Sequence, residues 1–107
     1  MKVLTFDIEE WFHIQFKGVS KYHITKQFER RLPFILNKIL DKLDEKKLKA
    51  TFLCLGWIGD VYPHLIKEIH NRGHEIGSHT NNHTLIYNQK PREFRDDLRQ
   101  SISKLAD

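Results

Sequence analysis

Ala50-Thr51-Phe52-Leu53-Cys54-Leu55 is a continuous, nearly all-apolar run closed by Gly56. It is too short for an ordinary helix and the right length for a strand. It does not alternate between apolar and polar residues, so the strand is expected to be covered on both faces, as in a parallel sheet. On its N-terminal side, Leu32, Ile35, Leu36, Ile39, Leu40 and Leu43 recur at three- and four-residue steps. That spacing predicts an amphipathic helix starting near Glu29, with Pro33 in its first turn and Lys46 and Lys47 in its last. On its C-terminal side, Val61, Leu65, Ile66 and Ile69 predict a second helix from near Asp60 to Asn71, with Pro63 in the first turn and Gly73 after the end.

Further out, Lys2 to Phe6 is rich in strand formers, and Tyr22 to Phe28 reads as a polar connection. Glu75-Ile76-Gly77 is a very short third strand. Pro91 opens a last helix whose expected stripe is Phe94, Leu98, Ile102 and Leu105. The order β-α-β-α-β-α implies the α/β class, with parallel strands and right-handed crossovers. In such sheets ligands collect at the carboxyl ends of the strands. Asp7, Glu9, Glu10, His79 and His83 all fall there.

The size and composition are those of one soluble domain: 107 residues, 39% hydrophobic and 30% charged. The net charge of +4 is spread out, and its densest group, Lys46-Lys47-Leu48-Lys49, reads as a solvated helix end. No nucleic-acid partner is expected from it. The single cysteine, Cys54, has no internal disulfide partner and reads as a buried strand residue. No apolar stretch is long enough to span a membrane, and Asp7 comes too soon for a signal peptide. A cytoplasmic location is the expectation that follows.

His79 and His83 stand four apart, a spacing that aims both rings the same way on a helical turn or tight loop. Two imidazoles and a carboxylate can hold a divalent cation and leave room for water and a substrate oxygen. Such an ion makes water more acidic and polarises a carbonyl, and a nearby free carboxylate can take the proton. Taken alone, an HxxxH pair is common and carboxylates after a strand are often caps. The weight lies in both patterns falling at strand carboxyl ends.

Thr5-Phe6-Asp7-Ile8-Glu9-Glu10-Trp11-Phe12-His13 resembles the first motif of the polysaccharide deacetylases, the NodB-type carbohydrate esterases of family four. Gly73-His74-Glu75-Ile76-Gly77-Ser78-His79-Thr80-Asn81-Asn82-His83 resembles their second motif. Ala50 to Leu53, Gly56-Trp57, Tyr62-Pro63 and Ile66 resemble the stretch between, and Pro91 to Leu98 the helix that follows, so nearly the whole chain is covered. The resemblance implies part of a distorted (β/α) barrel and a metal-dependent removal of acetyl groups from N-acetylated sugars of a glycan. It implies Asp7 as the base and His79 and His83 as ligands of a divalent metal, zinc first, with cobalt, nickel, manganese or iron as alternatives. The family's usual second aspartate is replaced by Ile8, so the carboxylate ligand is expected to be Glu9, which shares a strand face with Asp7. Glu10 takes that place if the strand bulges. Thr80 matches a position that orients a ligand. His13 and Trp11 are candidates for lining a sugar site, and Trp57 for packing beside it. His74 is expected to satisfy a buried turn, His23, His64 and His70 to be surface residues, and Tyr87 and Asn88 receive no role.

The family's later motifs, an Arg-x-Pro segment, a tuning aspartate and a late histidine that protonates the leaving amine, have no counterpart in residues 1–107. The expectation is therefore an N-terminal portion carrying the metal and base half, which self-associates or takes a complementary C-terminal segment. The alternative is a noncatalytic metal-binding or assembly module.

Overall fold

The computed structural model describes residues 2–10 and 31–106. Trp11, His13, His23 and the connection from Tyr22 to Phe28 lie outside the described residues. The rest forms a three-stranded parallel sheet of β1 (Thr5–Ile8), β2 (Thr51–Cys54) and β3 (Glu75–Ser78), in the order β1-β2-β3. Thr5, Thr51 and Glu75 stand abreast, as do Ile8, Cys54 and Ser78, so the three strands end level. Helix α1 (Leu32–Lys46) joins β1 to β2; α2 (Gly56–Val61) and α3 (Pro63–Asn71) join β2 to β3; a 3₁₀ turn (Ile86–Asn88) and α4 (Pro91–Ala106) follow. The α/β class and the parallel strand order are those expected from the sequence.

Several boundaries differ from expectation, each for a local reason. The first strand begins at Thr5 rather than Lys2, because the ladder starts where Thr51 N–H donates to the Leu4 carbonyl; Val3 is left exposed. The single helix expected from Asp60 is two. Pro63 has no N–H to continue a helix, and Tyr62 before it adopts φ −129°, ψ 57°, which ends α2 and starts α3. The third strand runs one residue further, to Ser78.

Among the described residues, β2 is fully covered on one face only. Phe52 and Cys54 are fully buried, whereas Thr51 and Leu53 on the other face are half-buried. The covered face carries Phe6 and Ile8 of β1, against which Leu36 and Leu40 of α1 and Ile58, Leu65 and Ile69 of α2 and α3 build the core. Phe6 stacks on Phe52 with ring centroids 5.3 Å apart. The uncovered face carries Thr5 and Asp7, both exposed, and Gly77, half-buried. Burial pushes the Cys54 thiol up to about 12, so it stays a neutral packing group.

The expected α4 stripe holds in part: Phe94, Leu98 and Leu105 are half-buried and Leu105 packs against the core, but Ile102 does not. Ile102 is 55% exposed and lines a groove of about 570 Å³ with Ile66, Ile76 and Leu105 beside β3. The fully buried position on α4 is Ser101, whose hydroxyl lies 2.6 Å from that of Ser78.

α1 starts on a buried carboxylate. Glu10, only 1% exposed, accepts hydrogen bonds from Arg31 N–H at 2.9 Å, Leu32 N–H at 3.2 Å and the Tyr62 hydroxyl at 2.9 Å. Its charge sits at the helix N-terminus, where the dipole favours an anion. At the other end of α1, Lys47 takes a left-handed conformation and Leu48 N–H reaches back to the Leu43 carbonyl at 2.9 Å, which closes the helix.

His74 leads into β3 and is 5% exposed. Its Nδ1 accepts from Ala50 N–H at 3.1 Å, and its ring meets the edge of Phe52. Loss of solvation lowers its pKa below the usual imidazole value, with Lys49 adding to that effect. Acid must therefore charge the unfolded imidazole before the folded one. The unfolded state binds the extra proton, so stability is full above the unfolded value and declines as pH falls below it. The melting temperature is expected to fall between pH 7.5 and pH 5. It should fall less for His74→Asn, whose side-chain oxygen still accepts from Ala50. Equal slopes for the two proteins in scanning calorimetry would remove His74 from the account.

Candidate metal centre

The level ends of the strands set the site. Period-two alternation along β1 sends Ile8 and Glu10 to the helix-covered side, and Asp7 and Glu9 to the other. At β3 the ladder continues one residue past the strand, with His79 N–H donating to the Cys54 carbonyl at 2.8 Å. Ser78 therefore faces the helices and His79 faces the side of Asp7 and Glu9. β2, which lies between, turns away at once into α2 and leaves the space above its end to the histidine loop. Gly56 makes that crossing possible: a Cβ there would lie 2.3 Å from Asn81 Oδ1 and 2.8 Å from Ser101 Cα.

Glu9, His79 and His83 each contribute a donor atom, all within 4.8 Å of one another. Glu9 Oε2 is 3.3 Å from His83 Nε2 and 3.9 Å from His79 Nε2. Donors about 2.1 Å from one ion at tetrahedral angles sit roughly 3.4 Å apart. The two spacings at Glu9 Oε2 lie on either side of that value. Glu9 Oε2 and His79 Nε2 are shielded from water without a hydrogen-bond partner. Buried polar atoms seldom go unsatisfied, and two that face one point suit a cation. The donor chemistry, two imidazoles and a carboxylate, is of the kind that zinc takes with a position left open. Asp7 stands beside the cluster, with Oδ2 4.0 Å from His79 Nε2 and its side chain 54% exposed. It is outside the donor set and open to solvent.

The loop geometry is unusual. Thr80 and His83 have φ of 67° and 63°, the left-handed region that non-glycine residues seldom adopt. The first is the turn that sends the chain over the end of β2. The second brings the His83 ring to 5.2 Å from that of His79, tilted by 58°. Thr80 Oγ1 is buried without a hydrogen-bond partner. Trp57 packs edge-on to Tyr62 and against the core, and His64 and His70 are exposed. Glu10, the other carboxylate considered from the sequence, is held by α1 and Tyr62 on the opposite side of the strand. Sequence reasoning did not single out Asn81, Asp97, Gln100 or Lys104. Asn81 lies inside the histidine motif, 4% exposed, and the other three lie on α4 and hold it by hydrogen bonds. The signal that could have found the α4 residues is polar, a spacing of three and four along one helix face.

Level parallel strands thus bring two imidazoles and a carboxylate together at their carboxyl ends, a group that could hold a metal ion. The family model for polysaccharide deacetylase matches residues 3–107, and the chain belongs to that family. It is 41% identical over 61 residues to a peptidoglycan-N-acetylglucosamine deacetylase of Bacillus cereus, a match covering 57% of this chain and 22% of that protein. It is 32% identical over 66 residues to a chitooligosaccharide deacetylase of Bradyrhizobium, covering 62% of this chain and 30% of the other. Among solved structures it resembles a peptidoglycan N-acetylglucosamine deacetylase at 30% identity and TM-score 0.71, over 96% of this chain and 38% of that one. The peptidoglycan deacetylase PdaC of Bacillus subtilis matches at 25% identity and the same TM-score, with 41% of its chain covered. The chain thus spans under a third of the length of these curated relatives and about two-fifths of these structures.

The two adjacent glutamates are expected to separate cleanly. Glu9→Gln should weaken zinc affinity at least about a hundredfold, since ligand loss exceeds what outer partners cost. Glu10→Gln should leave zinc affinity close to the parent's and lower stability by roughly 1–3 kcal/mol, the cost of weakening a buried charged hydrogen-bond set. Zinc calorimetry and thermal melts on both variants check this. Loss of zinc binding in Glu10→Gln alone would reverse the assignment.

Proposed function

We propose that this chain carries the metal and base half of a divalent-metal-dependent deacetylase that hydrolyses the acetamide of N-acetylated sugars in a glycan. The observation that carries the reading is the convergence of Glu9, His79 and His83 on one point with Asp7 beside it. Zinc fits the donor set first. Relatives named for peptidoglycan N-acetylglucosamine and for chitooligosaccharide support an N-acetylglucosamine-containing substrate.

The chemistry such an ion supplies when bound is Lewis acidity toward a water and an amide carbonyl. Glu9, His79 and His83 would hold it with one negative charge among three ligands, which leaves the site net positive where oxygen gains charge. Asp7, free of the donor set and open to solvent, accepts the proton as water adds to the carbonyl carbon. The C–N bond then breaks, acetate forms, and the amine needs a proton. We place that proton donor outside the described residues, on a complementary segment or an associated chain. Among the described residues no helix is long and apolar enough to cross a membrane.

The test uses the zinc-loaded chain with an N-acetylated chitin oligomer, read by acetate release. Asp7→Asn should retain zinc affinity while any hydrolysis falls by about 10²- to 10⁴-fold, the usual worth of a positioned base. Zinc binding without turnover in the parent would favour a noncatalytic module. Hydrolysis by Asp7→Asn at the parent's rate would remove Asp7 as the base.

A further inference from the structure

The turn between the two histidines is tied at every backbone polar group of Thr80 and Asn81. Thr80 N–H donates to Ser78 Oγ at 3.2 Å, and the Thr80 carbonyl accepts from Gly56 N–H at 2.9 Å. The Asn81 carbonyl accepts from Trp57 N–H at 2.9 Å, and Asn81 N–H donates to Asp97 Oδ2 at 2.9 Å. The Asn81 side chain, itself buried, is tied as well: its Oδ1 accepts from Lys104 Nζ at 3.0 Å and its Nδ2 donates to Gln100 Oε1 at 3.3 Å. Lys104 is fixed in turn by Asp60 of α2 at 2.8 Å.

Asp97, Gln100 and Lys104 are not among the donors of the cluster. They lie on one face of α4, a sixteen-residue helix packed on α2 and β3. Strained left-handed residues persist only where their surroundings over-determine them. Of the ties on the turn's backbone, the bond from Asn81 N–H to Asp97 is the charge-assisted one, and it acts on the peptide directly after left-handed Thr80. Released, the turn could relax to an ordinary conformation, and the two rings would no longer share a point.

We infer that Asp97 is a positioning residue for the metal site. It acts through Asn81 to hold the Thr80–His83 turn, and Lys104 is the second tie. The inference rests on the metal reading of Glu9, His79 and His83. A purely structural Asp97 would affect melting and nothing at the metal.

Zinc calorimetry well below the melting temperature, cobalt(II) absorption spectra and metal-free melts on the parent, Asp97→Ala, Asp97→Asn and Lys104→Met decide between these. Asp97→Ala is expected to bind zinc about 10- to 100-fold more weakly, the range found for outer partners of metal ligands, with an altered cobalt spectrum. Asp97→Asn keeps an oxygen that accepts from Asn81 and should recover most of the affinity. Lys104→Met should fall between. The inference is overturned if Asp97→Ala and Lys104→Met bind zinc as the parent does with the parent's cobalt spectrum, whatever their melting temperatures. If Asp97→Ala does not fold, Lys104→Met with parental affinity and spectrum overturns it by itself. A parent that binds zinc no better than His79→Ala removes the metal reading first, and the inference with it.

Discussion

The structure depends on a chain crossing at the end of its middle strand. β1, β2 and β3 finish level, and the loop after β3 passes over the end of β2 onto the first N–H groups of α2. Gly56 and Trp57 donate to the Thr80 and Asn81 carbonyls, both at 2.9 Å. A helix start has N–H groups in need of acceptors, and a loop over a buried sheet edge has carbonyls in need of donors. Each satisfies the other. The contact is possible only because residue 56 has no side chain. Without it, β1 and β3 would deliver their side chains to ends kept apart by an intervening strand.

The two neighbouring glutamates show how a one-residue difference becomes a difference of role. Strand alternation places Glu10 under α1 and Glu9 over the open face. Glu10 is surrounded by donors, at the end of a helix whose dipole favours its charge. Among the described residues, Glu9 Oε2 has the two imidazoles at 3.3 and 3.9 Å and no hydrogen-bond partner. One carboxylate is thus used up by folding and the other left over, and the leftover charge is what a cation would neutralise. The same anchoring of Glu10 holds the end of β1 in place, so structure and site share a strand without sharing a side chain.

Much of this was legible in the sequence. Apolar runs and three-to-four spacing gave the parallel α/β order, and the HxxxH spacing with the early carboxylates drew attention to the residues that meet. Strand alternation favoured Glu9 over Glu10 but left open whether β1 bulges; the pairing is regular through Ile8, and it is Glu9 that lies with the two histidines. The break at Tyr62 was hidden because Gly56–Val61 is too short to show a period and Pro63 is acceptable in a first turn. The two-sided burial expected of β2 assumed a sheet covered on both faces, and Asp7, Leu53 and Gly77 occupy a face that the described helices do not cover. Apolar spacing found Leu105, which packs against the core, but missed the polar part of the packed face of α4: Asp97, Ser101 and Lys104 are polar, and it is Ser101 that is fully buried.

That polar face also explains why a helix so poor in core residues stays seated. α4 leaves Ile102 exposed and sets against the sheet and loop a serine pair, a carboxylate on a backbone N–H and a lysine shared between Asn81 and Asp60. Hydrogen bonds are directional where apolar contacts are not, so this interface fixes orientation more sharply than an oily one would. Orientation is what the histidine loop requires. A few tenths of an ångström in the turn move the imidazole nitrogens by a comparable amount, against donor spacings of 3.3 and 3.9 Å at Glu9. A slippery helix would hold the fold equally well and the rings less well. The polar seat of α4 therefore makes sense as a device for aim, set one layer behind the groups that do the aiming.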